Sequence, residues 1–282
     1  MKHTTLVSAE ELAQHLDDQD WIIFDCRFTL TDPEAGLRAY QHGHIPNARY
    51  AHLDNDLSSP VTPASGRHPL PDPQLFAEKL GRWGVDETKQ IVVYDDSFGS
   101  MAVRMWWLLR WLGHDAVALL DGGLPGWMRQ KLPVNAESPK ITPTRFTPHL
   151  QNALWVDAAE VERARQNKTR LVLDARPEDR FSGEREPLDK IAGHIPGSIN
   201  WTFEENIDFD GTYLPAEELR EAYLNLLHGI APEQAIHTCG SGVTACHNIL
   251  AMEIAGLPGS KLYPGSWSEW IADPTRPVAT GE

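Results

Sequence analysis

Cys239-Gly240-Ser241-Gly242-Val243-Thr244 is the segment of this 282-residue chain best equipped for chemistry. An apolar run, Ala235 to Thr238, precedes it, and apolar positions at 245, 249, 250, 252, 254 and 255 follow. The pattern predicts a buried strand, a tight loop and a helix. A cysteine so placed sits at the carboxyl end of a sheet, where open α/β folds bind ligands. The helix N-terminus offers unpaired N–H groups and the positive end of a dipole. Gly240 and Gly242 let the backbone curl until several N–H groups converge on one point, a nest that favours thiolate over thiol. The competing reading is an inert buried thiol. Two glycines and two hydroxyls within six residues stand against it.

The loop also excludes chemistry. It holds no Arg or Lys, and the position where a Cys-x5-Arg phosphatase needs its guanidinium is Ala245. Phosphoryl transfer is therefore disfavoured. His237 and His247 lack a second cysteine at ligand spacing, so no metal site is expected. The three cysteines, Cys26, Cys239 and Cys246, form no CxxC and suggest no disulfide framework, which fits a reducing, cytoplasmic compartment. Cys246 stands two helical turns below Cys239 and reads as packed. A net charge of −15 repels nucleic acid and anionic membrane. No run reaches the ~20 apolar residues of a membrane span. Met1 to Leu6 lacks the apolar core of a signal peptide.

The elements that must position this loop occur twice. Ile22 to Arg27 matches Leu171 to Arg176 at a shift of 149, and Gly43-His44-Ile45-Pro46 returns as Gly193-His194-Ile195-Pro196 at 150. Gly113 and Gly256, each closing an apolar helical run, match at 143, as do Trp127 and Trp270. The shift of 143 places Asp96 at the position of Cys239, so only the second copy carries the nucleophile. A repeat this long means two domains rather than a solenoid. Strand, tight loop, helix and strand in series predict α/β domains, each a parallel sheet flanked by helices. The expected boundaries are 1–135, a Pro-rich linker over 136–152, and 153–282. A second Pro-rich stretch, Ser58 to Pro73, is too long for a plain turn, and loops of that length are often functional. The duplicated Asp25 and Asp174, and His44 and His194, read as architectural, and the tryptophans as core.

The chain resembles the tandem-domain rhodaneses, and its loop is similar to that of the 3-mercaptopyruvate sulfurtransferases. Gly43 to Ala48 resembles the family's first signature, with Asn47 where Gly is usual. Tyr263-Pro264-Gly265-Ser266-Trp267-Ser268-Glu269-Trp270 resembles its carboxyl-terminal signature. Members have an inactive first domain with Asp in place of the cysteine. Thiosulfate-specific members carry basic residues inside the loop, and this chain carries none.

The resemblance implies covalent catalysis without a cofactor. A Cys239 persulfide takes sulfur from a small-molecule donor, 3-mercaptopyruvate, and passes it to a thiol (a small thiol or a thioredoxin-like protein) or to cyanide. Gly240, Gly242, Val243 and Thr244 would contribute the N–H groups that hold the anion. Arg180 matches the family arginine that binds the substrate carboxylate. A second arginine of that kind occurs in some members; Arg185 and Lys190 are candidates, without an assignment. Ser241 would join His68 and Asp54 in a Ser–His–Asp relay, with the last two supplied by the first domain. Two rival readings are a thiosulfate sulfurtransferase on the same scaffold and a non-catalytic module whose Cys239 senses redox state.

Overall fold

The computed structural model describes residues 2–167 and 170–281. Two compact units account for the chain. The first comprises 1–59, 70–151 and 208–213; the second comprises 60–69, 152–207 and 214–282. No helix among the described residues is long and apolar enough to cross a membrane.

The first unit runs β1 (Leu6–Val7), α1 (Ala9–Gln14), β2 (Trp21–Asp25), α2 (Ala35–His42), β3 (Arg49–Tyr50), α3 (Pro73–Arg82), β4 (Gln90–Tyr94), α4 (Ala102–Trp111), β5 (Val117–Leu120) and α5 (Gly123–Arg129). Its five strands are all parallel, in the order β1-β5-β4-β2-β3. Helix starts are set locally. Ser8 accepts the Glu11 N–H ahead of α1, and Asp72 accepts the Gln74 and Leu75 N–H groups ahead of α3, with Pro73 in its first turn. β4 is buried along its whole length, as is almost all of α4, so these apolar runs form the centre of the domain. The segment expected as a linker is an extended strap on this unit. Thr144, His149 and Gln151 donate their N–H groups to Gly81, Leu112 and Trp111.

The second unit runs α6 (Ala158–Asn167), β6 (Leu171–Asp174), α7 (Glu178–Ser182), β7 (Ile199–Asn200), α8 (Ala216–Leu227), β8 (Ala235–Thr238), α9 (Ala245–Ile254), β9 (Lys261–Leu262) and α10 (Ser266–Trp270). Its four strands are parallel in the order β7-β6-β8-β9. One core layer gathers Val172, Ile195, Ile236, Tyr263, Trp267 and Trp270. Trp127 and Trp270, expected to be core, are fully buried and donate to Pro133 O and Pro277 O at 2.9 and 2.8 Å.

The duplicated polar groups are indeed architectural. Arg27 grips Asp25 and the Gly43 carbonyl, and Arg176 grips Asp174 and the Gly193 carbonyl. His44 stacks on Tyr40 and His194 on Phe181, each ring also bonded to a backbone carbonyl. Asn47, the departure from the first signature, has φ of 64° where Gly197 has 84°. Asparagine tolerates this left-handed conformation better than most residues.

The register corrects one expectation. Asp25 on β2 pairs with Tyr94 on β4, and Asp174 on β6 pairs with Thr238 on β8. Tyr94 thus matches Thr238, and the residue at the cysteine position is Asp95, not Asp96. Six residues separate Asp95 from Ala102, but five separate Cys239 from Ala245. A shift read from the helices therefore slides the loop by one. The Asp95 carboxylate is fully buried and accepts the N–H groups of Ser97, Gly99, Met101 and Ala102, each at 2.8 Å. The loop of the first copy is closed around its own anion.

Candidate active site

β8 ends at Thr238 and α9 starts at Ala245, so Cys239 stands at the carboxyl end of an inner strand, against a helix N-terminus. Cys239 is 2% exposed. Its Sγ accepts the Gly242 N–H at 3.2 Å, across the loop. The carbonyls of Val243 and Thr244 accept the Cys246 and His247 N–H groups. Those carbonyls point down the helix, which turns the N–H on the same peptides, of Thr244 and Ala245, back toward the loop. Gly242 is the loop donor whose N–H reaches Sγ.

Both loop glycines are required by space. Gly242 has φ of 76°, and a Cβ there would meet the Pro264 carbonyl oxygen at 2.3 Å. A Cβ on Gly240 would meet Arg67 Nη2 at 2.7 Å and both Arg180 terminal nitrogens at 3.5 Å. The bare Cα of Gly240 thus lets two guanidinium groups come up to the loop.

Those guanidiniums belong to a partly buried ion cluster. Arg180 holds both Glu186 oxygens through Nε and Nη2, and Nη2 also reaches Asp189 at 3.1 Å. Arg67 pairs with the other Asp189 oxygen. Arg176 adds a 3.5 Å contact to Glu186 and lies 5.0 Å from the Trp267 ring centroid. Burial raises the Asp189 pKa, and the arginines only partly offset this. Burial works in the same direction on Glu186, but the Leu188 N–H and Arg180 outweigh it and its pKa is lowered. Arg176 is held charged against burial, chiefly by Asp174. Arg185, a candidate from the sequence, is largely exposed and faces Asp179 at 3.5 Å. Sequence reasoning passed over Arg67; its position next to His68 in the long Pro-rich stretch was the available signal.

His68 lies in the second unit with Ser241, because residues 60–69 group with that unit. His68 Nδ1 is 2.7 Å from Ser241 Oγ, and both residues are buried. Asp54 is in the first unit, on the turn after β3, where its N–H donates to His52 Nδ1 at 3.1 Å. Cys246 is buried, and its thiol donates to the Gly242 carbonyl at 3.5 Å. Gly242 is thus bonded to one sulfur through its N–H and to another through its carbonyl.

This arrangement can hold a sulfur anion at a loop N–H, receive a small carboxylate beside two arginines, and move a proton through a hydroxyl–imidazole pair. Comparisons with known proteins place the chain in a family. The Rhodanese-like domain family matches residues 8–130 and 157–273. A Pseudomonas aeruginosa protein named "Probable 3-mercaptopyruvate sulfurtransferase" is 46% identical, with all of both chains covered. A Mycobacterium tuberculosis protein bearing a thiosulfate sulfurtransferase name is 36% identical over 98% of this chain and 97% of its own. The crystal structure of SseA from Escherichia coli, a 3-mercaptopyruvate sulfotransferase, superposes with a TM-score of 0.82 at 33% identity, covering 94% of this chain and all of that one.

Proposed function

Because the chain belongs to the rhodanese family and is a sulfurtransferase, we propose that 3-mercaptopyruvate is its donor and Cys239 its sulfur carrier. The Cys239 thiolate attacks the donor sulfur. An S–S bond forms and the donor C–S bond breaks, with its electron pair leaving on carbon as the pyruvate enolate. The proton of the donor thiol ends on that carbon, which leaves pyruvate and the Cys239 persulfide anion. A thiolate or cyanide then attacks the outer sulfur, returning Cys239 to thiolate and releasing a new persulfide or thiocyanate. Small thiols and thioredoxin-like proteins are the acceptors this chemistry admits. The Gly242 N–H is placed to bind the sulfur anion, and the N–H groups at the start of α9 face the same loop.

The observation that carries the choice of donor is the Ser241–His68 pair. Thiosulfate expels sulfite, a stable anion that needs no proton. Mercaptopyruvate expels a carbanion equivalent that must receive one, and a hydroxyl hydrogen-bonded to imidazole two residues from the nucleophile serves only that case. The charge count supports the same donor. Arg67 and Arg180 are balanced by Glu186 and Asp189, leaving donors for a monoanionic carboxylate without the excess positive charge that a dianion rewards. We assign the donor carboxylate to Arg180 and Arg67, the relay to Ser241 and His68 with Asp54 as its acid, and a non-catalytic role to the first domain, whose loop holds Asp95. The protein works in the cytoplasm.

Steady-state rates on the two donors test the reading, together with the intact mass after each. We expect the higher kcat/KM with 3-mercaptopyruvate, and a mass gain of one sulfur that cyanide removes and Cys239→Ser lacks. Faster turnover with thiosulfate would select the rival donor. No sulfur gain with either would leave a redox-sensing module.

A further inference from the structure

We propose that Ser266 is a positioning residue for Cys239, its hydroxyl fixing the main chain of the nucleophile against the start of α10. The two copies of the domain solve one problem differently. In the first copy the loop is organised by the side chain of its own leading residue, Asp95, which binds four backbone N–H groups. The second copy cannot use that device, because the Cys239 sulfur has to stay available to accept and surrender another sulfur. Its loop has to be held by something else.

The start of α10 supplies three tethers. Ser266 Oγ accepts the Cys239 N–H at 3.1 Å, the Trp267 N–H donates to Cys239 O at 3.0 Å, and the Ser268 N–H donates to Gly240 O at 3.0 Å. Ser266 Oγ in turn donates to Tyr263 O at 2.9 Å, which orients the hydroxyl and leaves its lone pairs for Cys239. In the first copy the corresponding residues are Gly123, Leu124 and Pro125. Leu124 makes the equivalent bond to Asp95 O at 2.9 Å. Gly123 has no hydroxyl and Pro125 has no N–H, so two of the three tethers are chemically impossible there.

The backbone shows what the serine costs. Ser266 has φ of 53° and Gly123 has 54°. This left-handed conformation is free for glycine and strained for a residue with a Cβ. A fully buried serine sits there although the fold accepts glycine at the same place in the other copy. What the side chain adds is the bond to the Cys239 N–H.

The test rests on Cys239 being the sulfur acceptor, so wild type is the control: if it forms no persulfide, that reading fails rather than this one. The rate constant of persulfide formation from 3-mercaptopyruvate is measured in single turnovers for Ser266→Gly and Ser266→Ala, each normalised to its amplitude, and thermal melts are run alongside. Loss of the tether should slow both variants about tenfold, the rate equivalent of one backbone hydrogen bond. Donor KM should stay near wild type. Ser266→Gly, relieved of strain, should melt higher than Ser266→Ala without recovering rate. A purely structural serine predicts the opposite, with rate following stability. Ser266→Gly within twofold of the wild-type rate overturns the proposal, as does failure of both variants to fold.

Discussion

His68 Nδ1 lies 2.7 Å from Ser241 Oγ across 173 positions of sequence. The loop bearing Cys239 also carries the hydroxyl, and a Pro-rich stretch from the first half of the sequence, residues 60–69, folds into the second unit to bring the imidazole. The pair separates the two donors on chemical grounds, because only one of their leaving groups needs a proton.

Ser241→Ala and His68→Gln should each lower kcat with 3-mercaptopyruvate by about 10²-fold, the usual contribution of a positioned acid–base group. Turnover of thiosulfate should change by far less. The double variant should be no worse than the singles, since the two act as a unit. Equal losses on both donors would remove the relay from the mechanism.

Gly242→Ala should be damaging on two counts. Its φ of 76° strains any residue with a Cβ, and that carbon would lie 2.3 Å from Pro264 O. We expect a loss of more than about 2 kcal/mol in chemical denaturation and little persulfide formed in the folded fraction. An unchanged midpoint would show that the loop has other conformations to use.

Asp189 should make donor binding depend on pH. Its pKa is raised by burial, so its favourable contribution to folding is present at low pH and is lost as pH rises through that value. Glu186, with a lowered pKa, stays ionised longer. On acidification from pH 7, Asp189 takes its proton above the ordinary Asp value of about 4 and releases Arg67 and one contact of Arg180. Donor KM should fall several-fold over that range. In Asp189→Asn it should be low at pH 7 and flat. A higher KM in Asp189→Asn would show that the carboxylate helps the donor bind.

His237 sits within β8, and burial lowers its pKa from 6.5 to about 3. The unfolded chain takes this proton near 6.5 and the folded chain does not. Stability is therefore lost as pH falls from about 6.5 toward 3, at up to about 1.4 kcal/mol per unit. Its Nδ1 has no hydrogen-bond partner and Nε2 faces Met252 Sδ at 3.2 Å, so the ring is not held by a polar network. The corresponding residue of the first unit is Val93. His237→Val should keep its melting temperature better than wild type as pH is lowered from 7 to 4. A constant gap between the two would refute the assignment.

Much of this was legible in the residues alone. The apolar runs ending at Phe24, Leu173, Tyr94 and Thr238 became four parallel strands, because short apolar runs between turn residues bury only as inner strands. That Cys239 opens a tight loop between a strand and a helix needed no tertiary information, since an apolar run, two glycines and a helical apolar pattern follow one another in sequence. The misplacement of Asp96 has an equally local cause. Loop length differs by one residue between the copies, and only strand pairing counts residues from the strand side.

The order of residues along the chain determined the duplication, the α/β class, the strand–loop–helix setting of Cys239 and the absence of a clamp arginine in its loop, because each follows from short-range pattern and residue chemistry. Tertiary structure alone decided that Asp95 is the residue enclosed by its own loop, that residues 60–69 join the second unit, and that Arg67, Asp189 and Glu186 gather beside Gly240. The physical reason is that strand register and buried charge pairing act between segments far apart in sequence, where periodicity carries no information.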